Sequence, residues 1–165
     1  MNAMTRQLPP DRQPNHYPVI VIGGGQAGLS ASWYLKQRGI AHVVFEKQRI
    51  AHEWRNHRWD SFCLVTPNWQ CTLPGFPYQG SDPYGFMLKD AIVEYIEAFV
   101  ASFDPPVLEG VAVTRLSQND DGGGYRLTTS IGEYSADEVI VASGAYQVPV
   151  KPASAERLPR ELLQM

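Results

Sequence analysis

The sequence predicts an α/β fold built on a parallel sheet, and three observations near its start predict it. Residues 18–22 are a short apolar, β-branched run, which is typical of a strand buried on both faces. Gly23, Gly25 and Gly28 follow in the spacing G-x-G-x-x-G, where a helical pattern begins. A second apolar run ends in Glu46. This order predicts a Rossmann-like βαβ unit that binds a dinucleotide at its first turn.

The glycines and the start of the helix each have a physical role in such a site. Gly23 allows the tight turn from strand to helix. Gly25 has no Cβ, so a pyrophosphate can approach the main chain, and Gly28 lets the helix lie close to the sheet. The helix begins at Gln26 and Ala27, where unpaired N–H groups and the positive end of the helix dipole favour a pyrophosphate.

Glu46 narrows the choice of nucleotide. A carboxylate at the end of the second strand can accept hydrogen bonds from both ribose hydroxyls. The same negative charge would repel an adenosine 2′-phosphate. The residues therefore predict FAD or NAD, and not NADP, without choosing between the first two.

Beyond this unit the pattern predicts a long loop, a second helix and several strands. The first helix, residues 26–38, is closed by Gly39, and residues 50–84 are irregular. Apolar side chains recur at three and four positions through residues 88–103, which predicts an amphipathic helix ended by two prolines. Strands are predicted at residues 107–116, 125–130, 133–135 and 137–144. The first three of these strands form a small antiparallel β-meander.

Composition excludes several classes of function. The formal net charge of −3 leaves no basic field for nucleic acid, and no run is long enough to cross a membrane. The two cysteines, Cys63 and Cys71, form neither a C-x-x-C pair nor a metal-ligand set, and we assign no metal site. Residues 1–16 are polar and Pro-rich, which predicts a flexible tail. The N-terminus lacks the apolar core of a signal peptide, so we expect a cytoplasmic protein.

Further segments resemble a known family. They read EWRNHRWDSFCLVTPNW with a following LPGFP, GVAV, VIVASG and AYQVPVKP. In this order they resemble the flavoproteins with two dinucleotide-binding domains, and among them the flavin-containing monooxygenase-like oxidoreductases. The resemblance covers residues 17–152 as one Rossmann-like FAD-binding domain and leaves residues 153–165 as a tail at an interdomain hinge. It implies that the cofactor is FAD.

The resemblance also implies a role for each matching position. The glycine turn would hold the pyrophosphate, Glu46 the adenosine ribose, and Lys47 would border that ribose. Main-chain groups of Val111, Ala112 and Val113 would bind adenine. Positions along the ribityl chain and the isoalloxazine would be Trp54, Arg55, Thr66, Pro67, Ala142, Ser143 and Gly144.

Several of these residues have an ordinary structural alternative. Trp54, Trp59 and Trp69 could be aromatic side chains that pack a loop. Arg55 and Arg58 could be solvated or could pair with Asp60. Residues 142–144 could be a strand end shaped by packing alone, although Tyr146 and Pro149 favour a flavin neighbour. We assign no catalytic residue, because neither His52 nor His57 shows the pattern of a general base.

One expected part of the family pattern is missing. Members continue into a second βαβ unit that binds NAD(P)H, and no second G-x-G-x-x-G occurs here. We therefore expect either a fragment or a naturally short relative, an FAD-dependent oxidoreductase portion with weak or no turnover alone. The alternatives are a non-catalytic FAD- or NAD-binding module that acts with a partner chain or as a homo-oligomer, and an NAD-linked reductase. The substrate is a small molecule of unknown identity.

Overall fold

The computed structural model describes residues 15–120, 122–144, 150–159 and 161–162. Three α-helices are α1 Gln26–Gln37, α2 His52–Asn56 and α3 Lys89–Phe103. Eight strands are β1 His16–Ile22, β2 His42–Glu46, β3 Thr72–Leu73, β4 Phe76–Pro77, β5 Val107–Glu109, β6 Val113–Gln118, β7 Tyr125–Thr129 and β8 Gly132–Val141. Short 3₁₀ helices are Asn68–Gln70 and Ala153–Arg157. Most of the tail predicted at residues 1–16, and the residues Tyr146 and Pro149, lie outside the described residues.

Six of the strands form one mixed sheet in the order β5-β2-β1-β8-β7-β6. β5, β2, β1 and β8 are parallel, and β8, β7 and β6 are antiparallel. β3 and β4 form a separate antiparallel pair. The predicted α/β fold, a parallel sheet joined to an antiparallel meander, is therefore confirmed.

The two faces of the parallel strands pack against different layers. Val19, Val21 and Val44 are buried together on one face, with Leu35 of α1 packed against them. The alternate residues of the same strands point the other way, as the period of two requires. They join the core of the meander, which consists of Ile20, Val43, Phe45, Val111, Leu127, Tyr134 and Ala136. The parallel strands are thus buried on both sides.

The prediction of one strand over residues 107–116 is wrong. β5 ends at Glu109, and Gly110, which has a φ of +76°, begins the turn that separates it from β6. These two strands are at opposite ends of the strand order, about 24 Å apart in a flat sheet. The three residues between them reach only about 14 Å. The sheet must therefore curl until the meander lies over the parallel strands.

The two strands predicted at residues 133–135 and 137–144 are one strand, β8. Its first part pairs antiparallel with β7, and from Ser135 to Val141 it pairs parallel with β1. Two strands were predicted because charged and small residues interrupt the apolar pattern. β8 is continuous because its two halves find different partners.

The long loop at residues 50–84 contains α2, a 3₁₀ helix and the β3–β4 pair. It closes over a second core that includes Leu29 of α1 and Ile92, Ile96 and Phe99 of α3. The Lys36 side chain of α1 donates to the carbonyl oxygens of Phe103 and Asp104. A positive charge at this position interacts favourably with the carboxyl end of the α3 dipole. Among the described residues, no helix is long and apolar enough to span a membrane.

A buried polar pair connects α1 to β2. Ser32 is 0% exposed, and its Oγ lies 2.8 Å from Nε2 of His42, which is also buried. Nδ1 of His42 lies 2.8 Å from the carbonyl oxygen of Ile40. Both ring nitrogens therefore have partners when the ring is neutral. Burial lowers the pKa of His42 below its ordinary 6.5, Lys36 lowers it further, and the Ile40 carbonyl opposes both.

Candidate dinucleotide-binding site

The carboxyl ends of the parallel strands meet at one edge of the sheet. There the N–H of Gly23 donates to the carbonyl oxygen of Phe45 at 2.8 Å, and the N–H of Ala142 donates to that of Ile22 at 2.8 Å. The N–H of Val111, just after β5, donates to the carbonyl oxygen of Glu46 at 2.9 Å. The edge thus brings together the residues predicted for the pyrophosphate, the ribose, the adenine and part of the flavin. Ligands of open α/β sheets bind at such an edge.

Two glycines of the glycine loop (residues 23–28) leave no room for a side chain. Gly23 has a φ of +111°, and an added Cβ would lie 2.4 Å from the carbonyl oxygen of Ala142. An added Cβ on Gly28 would lie 1.9 Å from the carbonyl oxygen of Gly23 and 3.3 Å from Val21. The glycine at position 28 therefore lets α1 approach the loop as well as the sheet.

Gly25 differs from both, because an added Cβ would meet nothing within 4 Å. It is the N-cap of α1, with a φ of −84° that any residue can adopt. Among the described residues, no side chain caps this helix end and no acidic residue lies in its first turn. The open space in front of Gly25 and the uncapped N–H groups fit the pyrophosphate of a dinucleotide.

The Glu46 carboxylate lies beside this loop. Its Oε2 accepts from the N–H of Gly24 at 2.6 Å, and its Oε1 accepts from the N–H of Gln48 at 2.8 Å. A carboxylate has about four acceptor positions, so these bonds leave capacity for ribose hydroxyls. Gly24 was not predicted as a site residue, since the motif treats its position as variable. A Cβ added to Gly24 would lie only 3.0 Å from Cβ of Glu46, so this position also favours glycine. The run of three glycines at residues 23–25 is the signal that could have revealed it.

The predicted adenine segment is already hydrogen-bonded to its surroundings. In addition to the Val111 bond, the N–H of Ala112 donates to Oγ of Ser130 at 3.1 Å, and its carbonyl accepts from the N–H of Ser130 at 2.8 Å. Val113 lies opposite Thr129, where β6 and β7 pair. Lys47 is exposed next to Glu46. The N–H groups of Val111 and Ala112 are thus engaged within the protein.

The Trp–Arg segment (residues 53–69) is held by side chains. Trp54 packs in the second core beside Phe62, and the Arg58 guanidinium lies 5.0 Å from the centre of the Trp54 ring. Arg55 forms an ion pair with Glu97 of α3. Trp54 therefore has the packing role that was the alternative to a flavin contact.

In the described part of the chain, neither Arg55 nor Arg58 forms the ion pair with Asp60 that was the alternative from the sequence. Asp60 lies 3.2 Å from Nζ of Lys89 instead. Among the described residues, the buried Nε of Arg55 has no hydrogen-bond partner. A buried donor without a partner is rare, and this atom therefore fits contact with a bound group.

The remaining predicted positions are Thr66 and Pro67 in the Trp–Arg segment and residues 142–144 after β8. Thr66 and Pro67 are half-buried, and their carbonyl oxygens lie 4.0 and 3.7 Å from Sγ of Cys71. The next residue, Asn68, was missed. It is 4% exposed, its Nδ2 donates to the carbonyl oxygen of Asp82 at 2.8 Å, and its Oδ1 has no partner among the described residues. Ala142 adjoins Gly23, while Ser143 and Gly144 continue from it and are exposed.

Comparisons with known proteins show the family to which this chain belongs. A family model described as pyridine nucleotide-disulphide oxidoreductase matches residues 20–157. The chain is 40% identical over 148 residues to "Uncharacterized oxidoreductase CzcO-like" of Geobacillus kaustophilus, covering 89% of this chain and 41% of that protein. It is 30% identical over 139 residues to indole-3-pyruvate monooxygenase YUCCA6 of Arabidopsis thaliana, covering 81% and 33%.

A solved structure of a flavoprotein is also similar to this chain. The flavin-containing monooxygenase from Stenotrophomonas maltophilia matches with a TM-score of 0.72 and 29% identity, covering 83% of this chain and 41% of that chain. This chain therefore spans less than half the length of the relatives it matches.

Proposed function

Since the chain belongs to the pyridine nucleotide-disulphide oxidoreductase family, we propose that it binds FAD and is the FAD-binding part of a monooxygenase-like oxidoreductase. Its relatives include flavin-containing monooxygenases, so the predicted resemblance to that group is confirmed. Binding of FAD by this chain, and the reaction that follows, are the proposal.

The observation that carries the proposal is the open cradle in front of Gly25. It faces the uncapped start of α1, and the Glu46 carboxylate adjoins the same loop. A pyrophosphate accepts the N–H groups there, and an adjacent ribose donates to Glu46. The geometry supports a dinucleotide without a 2′-phosphate. The relatives favour FAD over NAD.

In the proposed complex each part of the site has one task. Gly23, Gly25, Gln26, Ala27 and Gly28 form the pyrophosphate cradle. Glu46 and Lys47 lie at the ribose, and residues 111–113 lie at the adenine. The flavin end is assigned to Trp54, Arg55, Thr66, Pro67, Ala142, Ser143 and Gly144. FAD, when bound, supplies the redox chemistry, while these residues bind it, orient it and exclude water.

Turnover needs a second nucleotide site in this proposal. The chain contains one G-x-G-x-x-G spacing, and the family pattern uses another for NAD(P)H. A further segment or a partner chain with its own fingerprint would supply it. We therefore propose that residues 17–152 are the FAD-binding domain and act in the cytoplasm on a small-molecule substrate, with little turnover alone. Steady-state oxidation of NADH and NADPH by the FAD-loaded chain, with light scattering for its oligomeric state, tests this.

Calorimetric titration of FAD into the wild-type chain and a Gly25→Val variant tests binding. Valine fills the open cradle without a forbidden φ, so we expect FAD affinity to fall by at least about 100-fold while the protein stays folded. Ala101→Val, on the exposed surface of α3, adds similar bulk away from the loop and should bind as the wild type does.

Three outcomes separate the alternatives. Loss of affinity in Gly25→Val alone supports the cradle as the FAD site. Equal affinity in all three proteins would mean that the glycine loop is not the site. Absence of FAD binding at high micromolar concentration, with NAD binding intact, would replace the flavoprotein assignment by an NAD-binding module.

A further inference from the structure

A second cluster of chemically active side chains lies on α2. His52, Glu53 and His57 each present a ligand atom, and all three atoms lie within 4.8 Å of one another. Nδ1 of His57 is 2.8 Å from Oε2 of Glu53. The two imidazole rings meet edge to face, with their centres 5.2 Å apart. Neither the proposed FAD site nor the sequence motifs use these three side chains.

The local backbone explains how they meet. Glu53 and His57 are four residues apart, which places them on the same face of a helix. His57 follows the last residue of α2 and leaves the helical region with a φ of −117°. Its ring can therefore turn toward His52, five residues earlier, which a continuous helix would hold further round its axis. No metal site was predicted from the sequence, in which these three residues match no known ligand signature.

The hydrogen bonds of the two imidazoles show which atoms an ion would take. Nδ1 of His57 and Oε2 of Glu53 face each other at 2.8 Å, so an ion bound there replaces the proton that they share. Nδ1 of His52 accepts from Nδ2 of Asn56 at 2.9 Å, and the same Nδ2 donates to the carbonyl oxygen of His52. An ion that binds His52 through Nδ1 displaces this amide.

Charge and exposure also suit a cation. Of the neighbouring arginines, Arg55 pairs with Glu97, and Arg58 lies over Trp54 and donates to the carbonyl oxygen of His57. His52 and Glu53 are half-buried and His57 is exposed, so water can complete the coordination. An i,i+4 Glu–His pair by itself is an ordinary surface contact. The edge-to-face His52 ring is what makes a three-ligand set.

We propose that His52, Glu53 and His57 bind one divalent first-row transition metal ion. Two imidazole nitrogens and one carboxylate oxygen are a donor set that suits Zn²⁺, with solvent in the remaining position. Such a site would lie on α2, immediately beside Trp54 and Arg55.

Titration calorimetry of ZnCl₂ into the untagged chain tests the proposal. We expect one ion per chain with a micromolar dissociation constant, weakened at least about tenfold by His52→Gln and by His57→Gln. His16→Gln is the matched control, since His16 is an exposed histidine on β1 that contacts Ser135. It should leave Zn²⁺ affinity unchanged.

Absorption of Co²⁺ in the visible range supplies a second readout. A bound ion with nitrogen and oxygen ligands should give a spectrum that disappears in both α2 variants and persists in His16→Gln. Circular dichroism checks that the variants are folded, which their surface positions favour. Binding weaker than millimolar in the wild type, or affinity that survives both α2 substitutions, would overturn the proposal.

Discussion

The glycine loop and the Trp–Arg segment, which we propose as the two ends of the FAD site, are held in place by different means. In the glycine loop, main-chain atoms approach so closely that Gly23 and Gly28 have no space for a Cβ. In the Trp–Arg segment, aromatic packing and an ion pair to α3 hold a chain that is half-exposed. Main-chain geometry of the first kind tolerates almost no substitution, whereas side-chain contacts of the second kind can be exchanged individually.

Among the substitutions that test this comparison, Gly28→Ala should lower the free energy of unfolding the most. The new Cβ would lie 1.9 Å from the carbonyl oxygen of Gly23, so α1 must move away from the loop. We expect the free energy of unfolding to fall by about 3 kcal/mol or more. Gly25→Ala, with open space around it, should change it by less than about 1 kcal/mol. Equal denaturant midpoints for the two variants would show that the loop is not tightly packed.

Glu46→Gln tests the polar contact that connects the loop to β2. The amide replaces one of two carboxylate oxygens that accept main-chain N–H groups, so we expect a stability loss of about 2 kcal/mol. FAD affinity should fall roughly tenfold, because the ribose loses a charged acceptor. Glu109→Gln is the control, since Glu109 accepts from the N–H of Ile50 at the neighbouring strand end. A similar loss of FAD affinity in the control would remove the special role of Glu46.

The buried His42 makes stability depend on pH. Since burial lowers its pKa in the folded state, the unfolded chain binds the proton more readily. Its contribution is complete above pH 6.5 and is lost as pH falls through the folded-state pKa, by at most about 1.4 kcal/mol per pH unit. Chemical denaturation across this range should give a flatter curve for His42→Gln. An NMR titration that placed the His42 pKa above 6.5 would contradict this.

Arg55→Met should have the smallest effect on stability. The half-buried ion pair with Glu97 is open to solvent on the glutamate side and contributes about 1 kcal/mol or less, and methionine keeps the apolar stem of the side chain. FAD affinity should nevertheless fall several-fold if Arg55 contacts the cofactor. Arg49→Met removes the other guanidinium on Glu97, 3.2 Å from its Oε1, and should not change FAD affinity. Unchanged affinity in both variants would leave Arg55 a purely structural residue.

The contrast between local constraints and contacts with distant segments explains which elements could be predicted from the sequence. The first helix was predicted at residues 26–38 and is Gln26–Gln37, while the second was predicted at residues 88–103 and is Lys89–Phe103. Periodicity and local stop signals define such elements. Prediction was poorer where strands choose distant partners. Residues 107–116 have a continuous strand-like pattern, yet Gly110 divides them between two regions of the sheet.

The sequence by itself determined the α/β class, the glycine loop and the acidic residue that follows the second strand. These features arise from local constraints, since a tight turn and a close main-chain approach demand glycine at specified positions. Only the tertiary structure decided that the meander covers the parallel strands, that Arg55 pairs with Glu97 and that His52 meets His57. Those contacts depend on where separate segments pack, or on where a short helix ends, which periodicity does not encode.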